Sequence, residues 1–224
     1  MLHFFRNLKT FSSLRLSRCS GSKGFSLIEM LVSIGILSVL FGIVFLNQNT
    51  YSESMALQNL ADDIGLEIVV AQSYSTSVRE IIPGSGDFDT SYGVSFSLRS
   101  GADGSPTSYV VFADFDGDGR YDGDWASCSG ECLRIVDITR GNFIENLCIE
   151  RNNSTELCST GTQRVDIVFA RPNLQPQTIF LNSAGNQISH PSYSGSIIKL
   201  SSPNGFLKSI VASFSGNVLV RDSL

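Results

Sequence analysis

Five aspartates between Asp114 and Asp124 form the densest group of potential ligand side chains in the sequence. Carboxylates alternate with other residues, and a glycine follows the third one, as at the opening of an EF-hand calcium loop. The predicted Ca²⁺ ligands are Asp114, Asp116, Asp118 and Asp122. The twelfth position holds Trp125 instead of glutamate, and a strand is predicted before the loop, so a complete EF-hand is not expected. A structural Ca²⁺ loop is one interpretation, and a solvated glycine-rich turn is the other.

Glu29 is a second candidate, because it is the only charged residue in the apolar run 25–46. As a helix, a run of this length spans a bilayer once, since a span requires about 20 apolar residues. A carboxylate in a membrane helix costs about 2–3 kcal/mol on insertion scales. A plain membrane anchor would not need it, so Glu29 is a functional-site hypothesis.

The residues before this run form a basic leader. Residues 1–24 carry five basic side chains and no acidic one, so the N-terminus is expected in the cytoplasm and the chain after Leu46 is expected to be exported. A secretory signal would have its small-residue cleavage site after the apolar run, whereas here the small residue, Gly24, precedes it. The apolar run alone is therefore compatible with an uncleaved signal anchor.

The string Lys23-Gly24-Phe25-Ser26-Leu27-Ile28-Glu29 closely resembles the class III leader of type IV prepilins and type II secretion pseudopilins. The resemblance implies that a membrane prepilin peptidase cuts after Gly24 and methylates the new N-terminus at Phe25. It also implies that Glu29 pairs with the terminal ammonium of a neighbouring subunit, since an ion in a low-dielectric medium requires a partner. Other pilin or pseudopilin subunits and an inner-membrane assembly platform are the implied partners.

A single long helix is predicted over 25–82, with a membrane-spanning part at 25–46 and an amphipathic part at 47–82. No proline interrupts it, and Pro83-Gly84 ends the pattern. In the amphipathic part, apolar residues recur at helical spacing and are expected to pack on the exported domain. This apolar stripe consists of Leu57, Leu60, Ala61, Ile64, Ile68 and Ala71.

Residues 83–224 are predicted to form a β-rich exported domain, because short apolar runs alternate with turn residues. The predicted strands are Tyr92–Leu98, Tyr109–Ala113, Leu133–Ile138, Val165–Ala170, Thr178–Leu181, Ile197–Leu200, Leu207–Phe214 and Asn217–Val220. Short connections favour antiparallel sheets, which gives an α+β, pilin-like fold class. The strand and Asp/Gly loop, together with the pattern over 198–220, are similar to the globular region of H-type minor pseudopilins and T-type fimbrial minor pilins.

The exported domain contains four cysteines, while Cys19 lies in the leader. An even number in an exported domain predicts two disulfides among Cys128, Cys132, Cys148 and Cys158, with three possible connectivities. We favour Cys148–Cys158, which closes a polar turn, with Cys128–Cys132 as the remaining pair. The alternative is a zinc site, although the spacings differ from the usual two-residue zinc knuckle.

Composition argues against two classes of function. Without the leader, 11 basic residues face 21 acidic ones, and this net charge near −10 disfavours nucleic acid as a partner. His190 is the only exported histidine, and the sequence has no phosphate loop, histidine metal pair or nucleophile elbow. An enzyme is therefore not expected.

These observations predict a minor pilin or pseudopilin, which is a structural subunit of a type IV pilus or a type II secretion pseudopilus. The subunit would start as a single-pass inner-membrane protein and then enter a cell-surface or periplasmic filament. The alternative is an uncleaved, signal-anchored Ca²⁺-dependent binding or adhesion module that does not polymerise.

Overall fold

The computed structural model describes residues 24–77, 90–152, 155–158, 161–172, 175–190 and 193–223. The chain divides into two compact units, Met1–Leu46 and Asn47–Leu224. Apart from Gly24, the predicted leader lies outside the described residues. The predicted α+β fold class is confirmed, because one long helix precedes a domain of two antiparallel sheets.

The helix α1 runs from Leu27 to Thr76 and contributes to both units. In the first unit its described apolar side chains are exposed, and by length and composition this part is able to cross a membrane. Its start is two residues later than predicted, because Ser26 occupies the N-cap position. The Ser26 hydroxyl accepts the Glu29 N–H at 3.3 Å, and the Ser26 carbonyl accepts the Met30 N–H at 3.2 Å.

The helix ends at Thr76, before the predicted end at Ile82. Three consecutive hydroxyl side chains at 75–77 donate back to main-chain carbonyls three residues earlier, at 2.8–3.0 Å. Such side chains compete with the helical main-chain pattern. The Arg171 guanidinium also donates to the carbonyls of Ser75 and Ser77, which binds acceptors that the helix end leaves free. The predicted end itself lies outside the described residues.

Ten strands form two five-stranded antiparallel sheets. Sheet 1 has the order β3-β2-β1-β6-β7, and sheet 2 has the order β10-β9-β8-β4-β5. The chain crosses between the sheets after β3, β5 and β7. The strands are β1 Ser91–Ser97, β2 Ser108–Asp114, β3 Cys132–Asp137, β4 Phe143–Arg151, β5 Glu156–Leu157, β6 Arg164–Phe169, β7 Pro176–Leu181, β8 Tyr193–Ser201, β9 Leu207–Ser213 and β10 Val218–Asp222.

One core joins α1 to the inner faces of both sheets. The apolar stripe of the helix packs there as predicted: all of its members are fully buried except Leu60, which is half-buried. Sheet 1 contributes residues such as Val94 and Ile167, and sheet 2 contributes residues such as Leu147 and Ile198. The helix is therefore a structural layer of the β-sheet domain as well as a potential membrane segment.

All eight predicted strands are present, with ends shifted by a few residues. Strands β4 and β5 were not predicted. In β4 the alternation of apolar and polar residues is broken, because the pairing with β8 shifts register between Ile144 and Asn146. Strand β5 has only two residues, which is too short for a periodic signal.

Two glycines give opposite expectations for replacement by alanine. A Cβ atom at Gly65, in the middle of α1, would lie 3.6 Å from side-chain methyl groups of Val218 and Val220, which is ordinary contact. A Cβ atom at Gly93 would lie 2.7 Å from the Ile167 carbonyl oxygen and 2.8 Å from the Phe112 ring. The helix position therefore has room for a methyl group, and the strand position does not.

We expect Gly65→Ala to stabilise the protein by about 0.5–1 kcal/mol, because alanine is the better helix former and restricts the unfolded chain. Gly93→Ala should lower the free energy of unfolding, because the added methyl group overlaps main-chain atoms of a neighbouring strand. Thermal unfolding of the detergent-solubilised chain measures both effects. A destabilising Gly65→Ala would contradict the described packing of α1 on β10.

Candidate functional site

The first candidate site is the N-terminal end of α1. Phe25 is 82% exposed, and a Cβ atom at Gly24 would meet nothing within 4 Å. Glu29 lies in the first turn of the helix, where the partial positive charge of the N-terminus favours an acidic side chain. Its carboxylate is exposed and has no hydrogen-bond or ion-pair partner within the described part of the chain.

The second candidate site is the acidic loop, residues 114–131, which joins β2 to β3. Asp114, at the end of β2, is buried, and its two carboxylate oxygens accept the N–H groups of Gly117 at 2.8 Å and Gly119 at 3.0 Å. Ligand oxygens of Asp114, Asp116 and Asp118 lie within 4.8 Å of one another. These three predicted ligands are thus close enough to share one cation.

Asp122, the fourth predicted ligand, does not belong to this group of three. Its carboxylate is exposed, while its main-chain N–H donates to Glu131 at 3.0 Å. The turn that follows Asp118 directs the next residues towards sheet 1, where the Tyr121 ring is buried against Phe112. Asp122 therefore lies beyond the part of the loop where the other three carboxylates converge.

Trp125, at the position where an EF-hand has glutamate, is an anchor of the loop. It is buried, its indole N–H donates to the Ser108 hydroxyl at 3.0 Å, and its ring packs edge-on against Tyr121. Together with Val110, Phe112 and Val168, these two aromatic side chains form a second small core on the outer face of sheet 1. Packing of the loop accounts for the aromatic residue at this position.

Glu131 is a site residue that sequence reasoning missed. It is buried, and its two carboxylate oxygens accept the N–H groups of Phe115 at 2.9 Å and Asp122 at 3.0 Å. Because Phe115 begins the loop and Glu131 ends it, one side chain ties the two ends together. No local sequence pattern marks this role, since the bonded groups are nine and sixteen residues apart.

Asp166 and Arg164 on β6 hold the middle of the loop and were also missed. Asp166 is fully buried and accepts bonds from the Ser95 hydroxyl at 2.5 Å and the Tyr121 N–H at 3.2 Å. The Arg164 guanidinium pairs with Asp166 at 2.6 Å and also donates to the Tyr121 carbonyl. On β6 these two residues alternate with apolar residues that face the core, so they lie on the other face of the sheet. This alternation is the one sequence signal that marks them.

The loop concentrates negative charge in partly buried surroundings. Burial raises the pKa of Asp114, and the neighbouring Asp118 adds to this effect. The pKa of Asp122 is also raised, by partial desolvation against the loop although the side chain is exposed, and by Asp118 and Asp116; burial raises the pKa of Glu131. At neutral pH, ionisation of these groups is thus less favourable in the folded protein than in the unfolded chain.

Disulfides constrain both the loop and a neighbouring hairpin. Cys128 is bonded to Cys132, which closes the end of the acidic loop, and Cys148 is bonded to Cys158. This is the pairing that the sequence analysis favoured. The β4–β5 register places Ile149 opposite Leu157, so Cys148 of β4 faces Cys158, the residue that directly follows β5.

His190 packs edge-on against Phe180, with ring centroids 5.1 Å apart. Burial and the nearby Arg151 lower its pKa. Among the described residues His190 makes no hydrogen bond or ion pair with a carboxylate, and its buried Nε2 has no hydrogen-bond partner.

Comparison with known proteins gives one match. Residues 19–45 match the family model described as the prokaryotic N-terminal methylation motif, and this range includes Gly24, Phe25 and Glu29. No curated protein and no solved structure matches the chain. The match supports the resemblance to type IV prepilins and pseudopilins, and it favours a structural subunit over an enzyme.

Glu131→Ala is expected to lower the free energy of unfolding by about 2 kcal/mol, because it leaves two partly buried N–H groups without an acceptor. Glu145→Ala is the matched control, since this glutamate is exposed and makes no ion pair among the described residues. Its effect should stay within about 0.5 kcal/mol. Thermal unfolding compares the variants, and equal stability of the two would rule out the proposed role of Glu131 in closing the loop.

Proposed function

We propose that this chain, which carries the N-terminal segment of type IV prepilins and pseudopilins, is a minor subunit of a pilus or secretion pseudopilus. In this proposal a prepilin peptidase cuts after Gly24 and methylates Phe25. The trimmed subunit then packs by its helix into a filament that starts at the inner membrane. The observation that carries the proposal is the methylation motif placed directly on the capped start of a long apolar helix.

The surroundings of Gly24 support recognition from outside the chain. A Cβ atom added at Gly24 would meet no atom within 4 Å, and Gly24 is not among the described glycines in the left-handed region. Neither packing nor backbone conformation therefore requires glycine here. A processing enzyme that admits only a small residue before the cut would explain why this position is glycine.

Electrostatics at the helix start support pairing between subunits. Cutting after Gly24 would place the Phe25 ammonium one residue before the N-cap, near the partial positive charge of the helix terminus. An ammonium there is disfavoured unless a carboxylate lies close to it. Glu29 of an adjacent subunit, which has no partner among the described residues of its own chain, would supply that carboxylate and would itself gain a counter-ion in a low-dielectric environment.

Exposed apolar surface supports association along the helix. Described apolar side chains from Phe25 to Phe45 are at least half exposed in the isolated chain. Lipid can cover this surface before assembly, and other helices can cover it in a filament. The exported domain would then be displayed outside the membrane, with its helix already fixed in the core that it shares with both sheets.

The N-terminus of the protein purified from its native host tests the proposal. Mass spectrometry should find a mature chain that begins at methylated Phe25, and Gly24→Leu should accumulate the full-length precursor. Gly35→Leu is the matched control, because a Cβ atom there also meets nothing within 4 Å. A mature protein that retains Met1 would contradict the proposal and would favour the signal-anchored adhesion module.

Glu29→Val tests the pairing separately from processing. The variant should insert and be trimmed, because it is more apolar, but its amount in sheared filaments should fall at least tenfold. Glu29→Asp keeps the charge and should retain most assembly. Wild-type amounts of Glu29→Val in filaments would rule out the charge pairing while leaving the trimming reaction intact.

Calcium binding by Asp114, Asp116 and Asp118 remains a prediction that the geometry permits, with Asp122 as a more distant fourth carboxylate. The raised pKa values of Asp114 and Asp122 mean that their protonation favours the folded state. This contribution is present below their ordinary pKa and is lost as the pH rises through the raised values. A bound cation would offset the repulsion at neutral pH, which gives calcium a stabilising role as a brace.

At pH 7, calcium at 100 times its Kd should stabilise the wild type by about 2.7 kcal/mol. Asp116→Asn should reduce this gain, and Asp137→Asn, at the end of β3, is the control. Asp114 is unsuitable for the test because its replacement also removes the acceptor of two N–H groups. Thermal unfolding with calcium and with chelator provides the measurement, and an unchanged wild-type unfolding temperature would exclude the ion.

A further inference from the structure

The start of α1 lies directly beside the bond that the proposed peptidase would cut. The first residue of the helix is Leu27, and Phe25 and Ser26 precede it outside the helix. Only these two residues separate a cut after Gly24 from the first helical residue. The position at which the helix begins therefore decides whether the bond to be cut lies inside the helix or outside it.

Ser26 sets the start of the helix with two hydrogen bonds. Its carbonyl accepts the Met30 N–H at 3.2 Å, which closes the first turn. Its hydroxyl accepts the Glu29 N–H at 3.3 Å. This pair of bonds is typical of an N-cap residue, whose own main chain is no longer helical. The residues before Ser26 are thereby directed out of the helix.

The Ser26 hydroxyl occupies the donor that a longer helix would need. In an α-helix each N–H bonds to the carbonyl four residues earlier, so growth by one residue would pair the Glu29 N–H with the Phe25 carbonyl. Growth by a second residue would pair the Ile28 N–H with the Gly24 carbonyl. The first of these steps competes with the bond from Glu29 to the Ser26 hydroxyl. The cap thus opposes inclusion of the Gly24 carbonyl in the helix.

Other features near the cut do little to stop the helix. No proline lies in residues 1–82, so a proline does not end the helix on this side. Gly24 has poor helix propensity, but Phe25 and Ser26 are ordinary in this respect. In apolar surroundings an N–H group without an acceptor is costly, which favours any carbonyl that can reach it. The Ser26 hydroxyl supplies an acceptor that does not lengthen the helix.

The non-helical main chain at the cut is the form that a peptidase can attack. Phe25 is 82% exposed, and a Cβ atom at Gly24 would meet nothing within 4 Å. In a helix the main chain lies about 2.3 Å from the axis, beneath the side chains, and its carbonyls are engaged in hydrogen bonds. A nucleophile must reach the carbonyl carbon of Gly24. A helix that included this carbonyl would have to unwind first.

We propose that Ser26 is a positioning residue for this cut, because its hydroxyl caps α1 and keeps the Gly24–Phe25 bond in accessible, non-helical main chain. This inference rests on the proposed function. Hydrolysis consumes water, breaks the bond between the Gly24 carbonyl carbon and the Phe25 nitrogen, and leaves a carboxylate on Gly24 and an ammonium on Phe25. Ser26 takes no part in this chemistry. It lowers the free energy needed to present the bond to the peptidase.

The initial rate of trimming of the full-length precursor, in membranes of the native host, tests the inference. Ser26→Ala removes the cap and should lower this rate about fivefold, which corresponds to the typical N-cap contribution of about 1 kcal/mol. Ser26→Asn supplies another good N-cap and should restore the wild-type rate. Ser26→Gly should lower the rate no more than about twofold, because glycine is a better N-cap than alanine.

Ser38→Ala is the matched control, because the Ser38 hydroxyl lies in the same helix and donates to the Ile34 carbonyl at 2.8 Å without capping an end. It should be trimmed at the wild-type rate. Wild-type trimming of Ser26→Ala, or equal slowing by Ser38→Ala, would overturn the inference. Slow trimming of both Ser26→Asn and Ser26→Gly, with normal trimming of Ser26→Thr, would show that the peptidase binds the hydroxyl itself. That result would overturn the capping role as well.

The start of the helix can also be measured without the peptidase. In detergent micelles, the Cα chemical shifts of Gly24 and Phe25 should become helical in the Ser26→Ala precursor and stay non-helical in the wild type and in Ser26→Asn. An unchanged helix start in Ser26→Ala would contradict the inference. A wild-type precursor that its host never trims would overturn the proposed function itself. A trimmed wild type whose rate does not depend on the cap would overturn this inference alone.

Discussion

The β-sheet domain depends on the burial of one face of α1 in a core that the helix shares with two sheets. Leu57, Ile64 and Ile68 are fully buried in a core to which both inner faces contribute, and each such side chain stabilises the fold by about 1.5–3 kcal/mol. Without the helix, the residues of sheet 1 and sheet 2 that share this cluster would lose their contacts with it. The same helix continues from an apolar segment that is able to cross a membrane. One helix therefore supplies both the apolar N-terminal segment and a buried face of this core.

A second set of interactions holds the acidic loop on the outer face of sheet 1. Besides the loop aspartates, two carboxylates accept main-chain N–H groups of the loop: Glu131 joins its ends, and Asp166 binds its middle at Tyr121. The buried aromatic rings of Tyr121 and Trp125 supply the apolar contacts. These interactions position the loop without a cation. A bound cation would act mainly on the repulsion among Asp114, Asp116 and Asp118, so its effect would be one of stability rather than of fold.

Periodic features of this chain could be predicted from sequence, and features that depend on distant contacts could not. The helix stripe from Leu57 to Ala71 follows from its 3.6-residue spacing, and eight strands follow from apolar runs between turns. Strand β4 was missed because a register shift interrupts its alternation, and Glu131 was missed because its partners are distant in sequence. The helix ends depended on local capping by Ser26 and by the hydroxyl side chains at 75–77. The processing, pairing and calcium roles remain predictions.

Two residues have identities that the fold of this single chain does not explain. A Cβ atom at Gly24 would meet nothing within 4 Å, and Glu29 is an acid in an apolar helix that has no partner among the described residues. Each of them is explained if the other half of its interaction lies on another molecule. A peptidase would require the glycine, and a neighbouring amino terminus would require the glutamate. Because both lie in the single matched segment 19–45, one processing and assembly function would account for them together.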